Sequence, residues 1–162
     1  DNAEIEQALL DYQRLFHADR QALRLRGLRE TAVEVMLFLA RFRPRLVGPV
    51  LSGAAGPHAD IGLHLFADTP MDVLLFLMEH RIPFDTTEHR LKLGNGDPVC
   101  LPAFRFDANG NHIDLTVFAP LAEREAPRSP IDGRPMRRAS LAEVQTLLAE
   151  DRQRTPPAAP ER

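Results

Sequence analysis

The stretch Leu51-Ser-Gly-Ala-Ala-Gly-Pro-His-Ala-Asp60-Ile-Gly-Leu-His64-Leu-Phe66 decides the reading of this chain, because it leads from an apolar segment through small residues into a strand with two unlike faces. From Asp60 to Phe66 the residues alternate: Ile61, Leu63 and Leu65 share one side, Asp60, Gly62 and His64 the other, as the period of two in a strand requires. One side belongs to a core and the other presents polar groups. Upstream, residues 46–51 read as a further strand, with Pro49 imposing an edge or bulged position because proline cannot donate to a ladder. Before them Leu9, Leu10 and Leu15, then Leu25, Leu28, Val35, Met36 and Leu39 recur at helical spacing. They predict two helices, residues 3–17 and 19–42, or one bent helix, closed by Pro44.

Downstream, Thr69-Pro-Met-Asp72 opens a helix expected to reach His80: a threonine cap, a proline in the first turn and an acid at the positive helix end. Met71, Val73, Leu74, Leu75, Phe76, Leu77 and Met78 leave it almost no polar face, so it is expected to lie across the sheet, buried on most sides with both methionines in the core. A strand over residues 84–93 and a turn at Gly94-Asn-Gly96 follow. Asn109-Gly110 joins strands 101–108 and 111–118 in a two-residue hairpin, where positive φ is needed. Counting back from that loop sets Phe106 opposite Ile113 and Phe104 opposite Leu115 on one face, with Arg105 opposite Asp114 and Asp107 opposite His112 on the other.

Past Pro120 the composition turns to Arg, Glu and Pro, an extended segment without a core of its own that either lies on the domain or hangs free. Ser140-Leu-Ala-Glu143 is a capping box for a last helix reaching about Glu150, with Leu141, Val144, Leu147 and Leu148 as its apolar stripe. Residues 155–162 are expected to be disordered. The fold class is α+β and the organisation is one domain: N-terminal helices in residues 1–45, a sheet core in 46–120, and a Pro/Arg segment, helix and tail in 121–162.

The 162 residues, 44% hydrophobic, suffice for one core and not for two. A net charge of −3, with Lys92 the sole lysine, predicts no extended nucleic-acid surface. The lone Cys100 fits a reducing compartment, so the cytoplasm is the expected location. No apolar run is long enough to span a bilayer. The acidic start lacks the basic and apolar regions of a signal peptide, and the absent initiator Met suggests a trimmed or partial chain.

The order helix, strand, glycine turn, polar strand, helix, strand and acid-bearing hairpin resembles the core of the nucleotidyltransferase superfamily, over residues 20–120. In that family an apolar strand ends in Gly-Gly or Gly-Ser, two carboxylates follow one residue apart on the next strand, and a third lies in a later apolar strand. Leu51-Ser-Gly53-Ala54 stands for the first element, Asp60-Ile-Gly62-Leu for the second, and Ile113-Asp114-Leu115 for the third. The resemblance implies a nucleotidyltransferase-like mixed sheet with N-terminal helices and a helix packed across it. It implies transfer of a nucleoside monophosphate from a nucleoside triphosphate to a hydroxyl, with Mg²⁺ or Mn²⁺ held by carboxylates.

Two positions depart from the pattern: Ala54 replaces a hydroxyl or glycine, and Gly62 stands where the second acid belongs. Asp60 and Asp114 remain as catalytic candidates, and Asp60, His64 and Asp114 as metal ligands expected on one open rim. Gly53, Ala54, Arg128 and Arg134 are the candidates for holding a nucleoside triphosphate or other small anion, the arginines by forked contacts with phosphate. Each has a plainer alternative: Asp114 pairs with Arg105 across the hairpin, His64 is a hydrogen-bonded histidine lining the sheet, and the Arg segment is a solvated linker. Three functions therefore stand side by side: a divergent nucleotidyltransferase, a catalytically inactive binding or regulatory protein with the same fold, and an interaction module that dimerises through its N-terminal helices.

Overall fold

The computed structural model of the chain describes residues 1–154, so the tail expected to be disordered lies outside the described residues. Its first element, α1 (Asn2–Phe38), is one helix of 37 residues, capped by Asp1 accepting from the amide of Ala3. The expected division near residue 18 does not occur. The chain offers no glycine or proline between Asp1 and Gly27, so nothing interrupts the i to i−4 ladder. Residues 1–24 are exposed throughout, and only from Leu28 onward does one face enter the core.

The expected strand over residues 46–51 is also corrected. Strand β1 (Arg45–Val47) stops at Gly48, whose φ of 77° turns the chain, and Pro49 then opens the short helix α2 (Pro49–Ser52). Proline suits a first helical position, where its missing N–H is not needed. Strand β2 (Ile61–Phe66) and helix α3 (Pro70–Glu79) follow, with the Thr69 hydroxyl accepting from the amide of Met71 at 2.9 Å. Helix α3 buries only Val73, Phe76 and Leu77. Met71 and Met78 are 54% and 57% exposed, so they are not core residues. One side of α3 meets the core and the rest faces solvent.

Strands β3 (Asp85–Lys92), β4 (Pro98–Ala108) and β5 (Asn111–Phe118) complete a five-stranded open mixed sheet in the order β1-β2-β5-β4-β3. Strands β2 and β5 run parallel, and the other neighbouring pairs antiparallel. The hairpin register is the one counted back from Asn109-Gly110, both at positive φ. Parallel pairing of β2 with β5 then sets Gly62 beside Asp114 and His64 beside Thr116.

One face of this sheet, with Leu46, Ile61, Leu63, Leu65, Phe104, Phe106, Ile113, Leu115 and Val117, joins Leu28, Ala32, Val35 and Met36 of α1 and Val73, Phe76 and Leu77 of α3 in one core. Helix α4 (Leu141–Arg154) adds Val144 to the same core, its capping box closed by Ser140 and Glu143, and runs a turn further than expected. Arg29 ties α1 to two other helices. Its guanidinium donates to both oxygens of Asp151 on α4 at 3.0 and 2.9 Å and to the carbonyls of Val50 and Leu51 on α2. With both side chains 5% exposed, this is a buried ion pair with additional hydrogen bonds, the condition under which losing one partner is expensive.

The Pro/Arg-rich segment lies on the domain. After a 3-10 turn at Pro120–Arg124 it reaches one sheet edge, where the Arg128 amide donates to the carbonyl of Lys92 on β3. It ends at the opposite edge, where Ala139 and Leu46 of β1 exchange backbone hydrogen bonds. The segment is a strap joining the two edge strands. No helix of the described residues is long and apolar enough to cross a membrane.

Candidate functional site

The sheet face opposite the core is polar because alternation along β2, β4 and β5 brings Gly62, His64, Arg105, Asp114 and Thr116 to the same side. Asp60 precedes β2 by one residue and belongs to this face, since Arg105, the neighbour of Asp114, reaches its carboxylate in an ion pair. The two candidate acids therefore lie on one side of the sheet. Asp114 does not pair with Arg105 despite their adjacency. Both its oxygens instead lie 2.8 Å from Nε2 of His89, which reaches across from β3. At 20% exposure for Asp114 and 33% for His89 this pair is partly sheltered, while the Asp60–Arg105 pair is more open.

His64 departs from the expectation of an open rim. It is 3% exposed, its ring lies 4.5 Å from that of Phe118, and its Nδ1 accepts a hydrogen bond from Nε of Arg138 at 3.0 Å. Burial above all, then the Arg138 charge and then His89, bring its pKa down from 6.5 to about 3. An imidazole accepting at Nδ1 and neutral across physiological pH carries its proton on Nε2. His64 is thus a hydrogen-bonded histidine within the sheet, and among the described residues no group of three or more His, Cys, Asp or Glu side chains could hold a metal ion.

Arg138 fastens the strap over this face. Its guanidinium donates to the carbonyl of Ala122 at 2.7 Å and stacks on Phe66 and Phe118, 5.0 and 4.8 Å from their centroids. Burial and the nearby Arg45 lower its pKa to about 10. Beside it, Glu123 accepts from Arg43 and Arg45, tying the 3-10 turn to the start of β1.

The glycine that ends the first strand is Gly48 and not Gly53. Gly48 follows Val47, the β1 partner of Gly62, whereas Gly53, at φ 91°, closes α2. Gly62 itself has a steric reason: a Cβ there would stand 3.3 Å from Cγ2 of Val47, tight enough that Val47 would have to give way. Ala54 and Arg134 come together with Gly48, Ser52, Ser129 and Arg137 around a groove of about 450 Å³ between α2 and the strap. Arg128 does not join them as a phosphate clamp. It donates to the carbonyls of Gly94 and Gly133 and to the side chain of Asn95, locking the strap to the β3–β4 turn.

Gly48 and His89 were not visible as site residues in the sequence, whereas Arg138 belongs to the arginine run that the sequence offers as an anion clamp and instead bonds His64 and Ala122. Gly48-Pro49 does carry a local signal, a glycine turn with a proline at the helix start. His89 carries none, because it meets Asp114 only through the position of β3 two strands away. Compared with family models, with curated proteins and with solved structures, the chain finds no match.

Proposed function

We propose that the protein is a divergent nucleotidyltransferase-like protein that binds a nucleotide, or a small anion of the same phosphate chemistry, without two-metal nucleotidyl transfer. The observation that carries this reading is the engagement of both acids: Arg105 neutralises Asp60 and His89 holds both oxygens of Asp114. Two Mg²⁺ or Mn²⁺ ions need clustered, unpaired oxygen donors. Position 62 holds glycine with Val47 packed against it, so the strand supplies no second acid there and a side chain would have to displace Val47. This donor set does not fit the metal pair. Support for a phosphate ligand comes from the groove between α2 and the strap, which Arg134 and Arg137 line together with Gly48, Ser52 and one acid, Asp132. Guanidinium groups and close backbone approach are the usual means of holding phosphate oxygens.

The test is calorimetric titration of the full chain with ATP and GTP, with Mg²⁺, with Mn²⁺ and with EDTA, alongside an assay for labelled nucleotide transfer. The expected result is binding that persists in EDTA, with no transfer. Metal-dependent transfer would establish the enzyme reading instead, and no binding under any condition would remove the nucleotide altogether.

A further inference from the structure

Residues 1–24 are exposed throughout, with Ala18, Gln21 and Ala22 facing Gly53, Ala54 and Ala55 across a pocket, and they carry Ile5, Leu9, Tyr12, Phe16 and Leu23 at 59%, 57%, 66%, 52% and 39% exposure. Their spacing of four, three, four and seven keeps all five within about a sixth of the helix circumference at roughly 100° per residue, the narrow seam of a coiled coil. Tyr12 and Phe16 are stacked along it, with ring centroids 6.3 Å apart and an interplanar angle of 11°. The seam points away from the domain. Leu25, Leu28 and Ala32, through which α1 enters the body, lie about half a turn round the helix from it. A second helix can therefore lie along the seam without meeting the domain.

The charges select the partner. Residues 1–11 hold the acids Asp1, Glu4, Glu6 and Asp11 and no basic side chain, whereas residues 14–26 hold Arg14, Arg20, Arg24 and Arg26 against Asp19 alone. Two parallel copies would set like charges side by side. Two antiparallel copies set the acidic third of each against the arginine-rich third of the other, with like charges apart. With Ile5 opposite Leu23 and Tyr12 opposite Phe16, Glu6 falls between Arg20 and Arg24 of the other copy. The seam residues and the flanking alkyl stems amount to roughly 600–800 Å² per copy, close to the area each partner contributes to a stable interface of ordinary size. We infer that the protein forms an antiparallel homodimer through residues 5–23 of α1. This interface is independent of the nucleotide reading, since none of its residues belongs to the polar sheet face or the groove.

Sedimentation equilibrium of the full chain between about 1 and 200 μM tests it. The expected result is a reversible monomer–dimer equilibrium that Ile5→Asp with Phe16→Asp shifts to monomer while the circular dichroism of the domain is kept. A chain monomeric at 200 μM overturns the inference, as does a dimer that the double variant leaves intact. Orientation is read by spin labels on Asn2→Cys in a Cys100→Ser background. Antiparallel helices separate the two labels by about 35–40 Å from the rise per residue, and a distance under about 20 Å would refute the charge argument.

Discussion

Acidification should destabilise the protein through His64, and the size of the effect follows from its surroundings. In the folded chain the ring is 3% exposed, accepts from Arg138, and has its pKa lowered from 6.5 to about 3, chiefly by burial. In the unfolded chain it takes up a proton near pH 6.5. Between the two values the unfolded state binds the extra proton, so stability is complete above about pH 6.5 and falls as pH drops toward about 3. The whole interval corresponds to about 4–5 kcal/mol, at about 1.4 kcal/mol per pH unit. Urea denaturation at pH 7 and pH 4.5, compared between the wild type and His64→Gln, isolates this contribution from the acids common to both. The wild type should lose about 2.5–3 kcal/mol more than the variant over that span. Equal losses would refute the reasoning, and so would an imidazole NMR titration of His64 with a midpoint near 6.5.

Arg29→Met should lower unfolding free energy by about 3–5 kcal/mol in urea, because it removes the partner that bonds both oxygens of the buried Asp151 carboxylate and leaves two carbonyls of α2 without their side-chain donor. Arg134→Ala and Arg137→Ala should each weaken nucleotide binding by about tenfold in calorimetry, the loss of one charge-assisted hydrogen bond, with unfolding unchanged within about 0.5 kcal/mol for a surface side chain. Arg128→Ala should instead raise amide hydrogen exchange in residues 126–137, since two of its side-chain hydrogen bonds hold the strap to the β3–β4 turn and a third closes the strap on Gly133.

Local chemistry explains which parts of the fold were legible. Asn109-Gly110 fixed the register of β4 and β5 because only a two-residue turn at positive φ joins those strands. Ser140 and Glu143 marked the start of α4 because their hydrogen bonds lie within one helical turn. Met71 and Met78 were misplaced because hydrophobicity says that a residue tolerates burial, not that the body is wide enough to cover it. The strand expected over residues 46–51 failed because Val50 and Leu51 are equally apolar in a buried helix, and Gly48-Pro49 overrode them.

By itself, the sequence determined the α+β class, the hairpin register, the caps and the sharing of one sheet face by Asp60, Gly62 and His64, since these depend on neighbours a few residues away. Tertiary structure alone decided what those polar groups do. The parallel pairing of β2 with β5 set Asp114 beside Gly62, the position of β3 delivered His89 to Asp114, and the strap buried His64 under Arg138. Those contacts join residues 25 to 74 positions apart in the chain, a separation over which neither periodicity nor spacing carries a signal. The acids could be read as candidates from the alternation of a strand, but whether they stood free or paired was settled only by the side chains that folding brought against them.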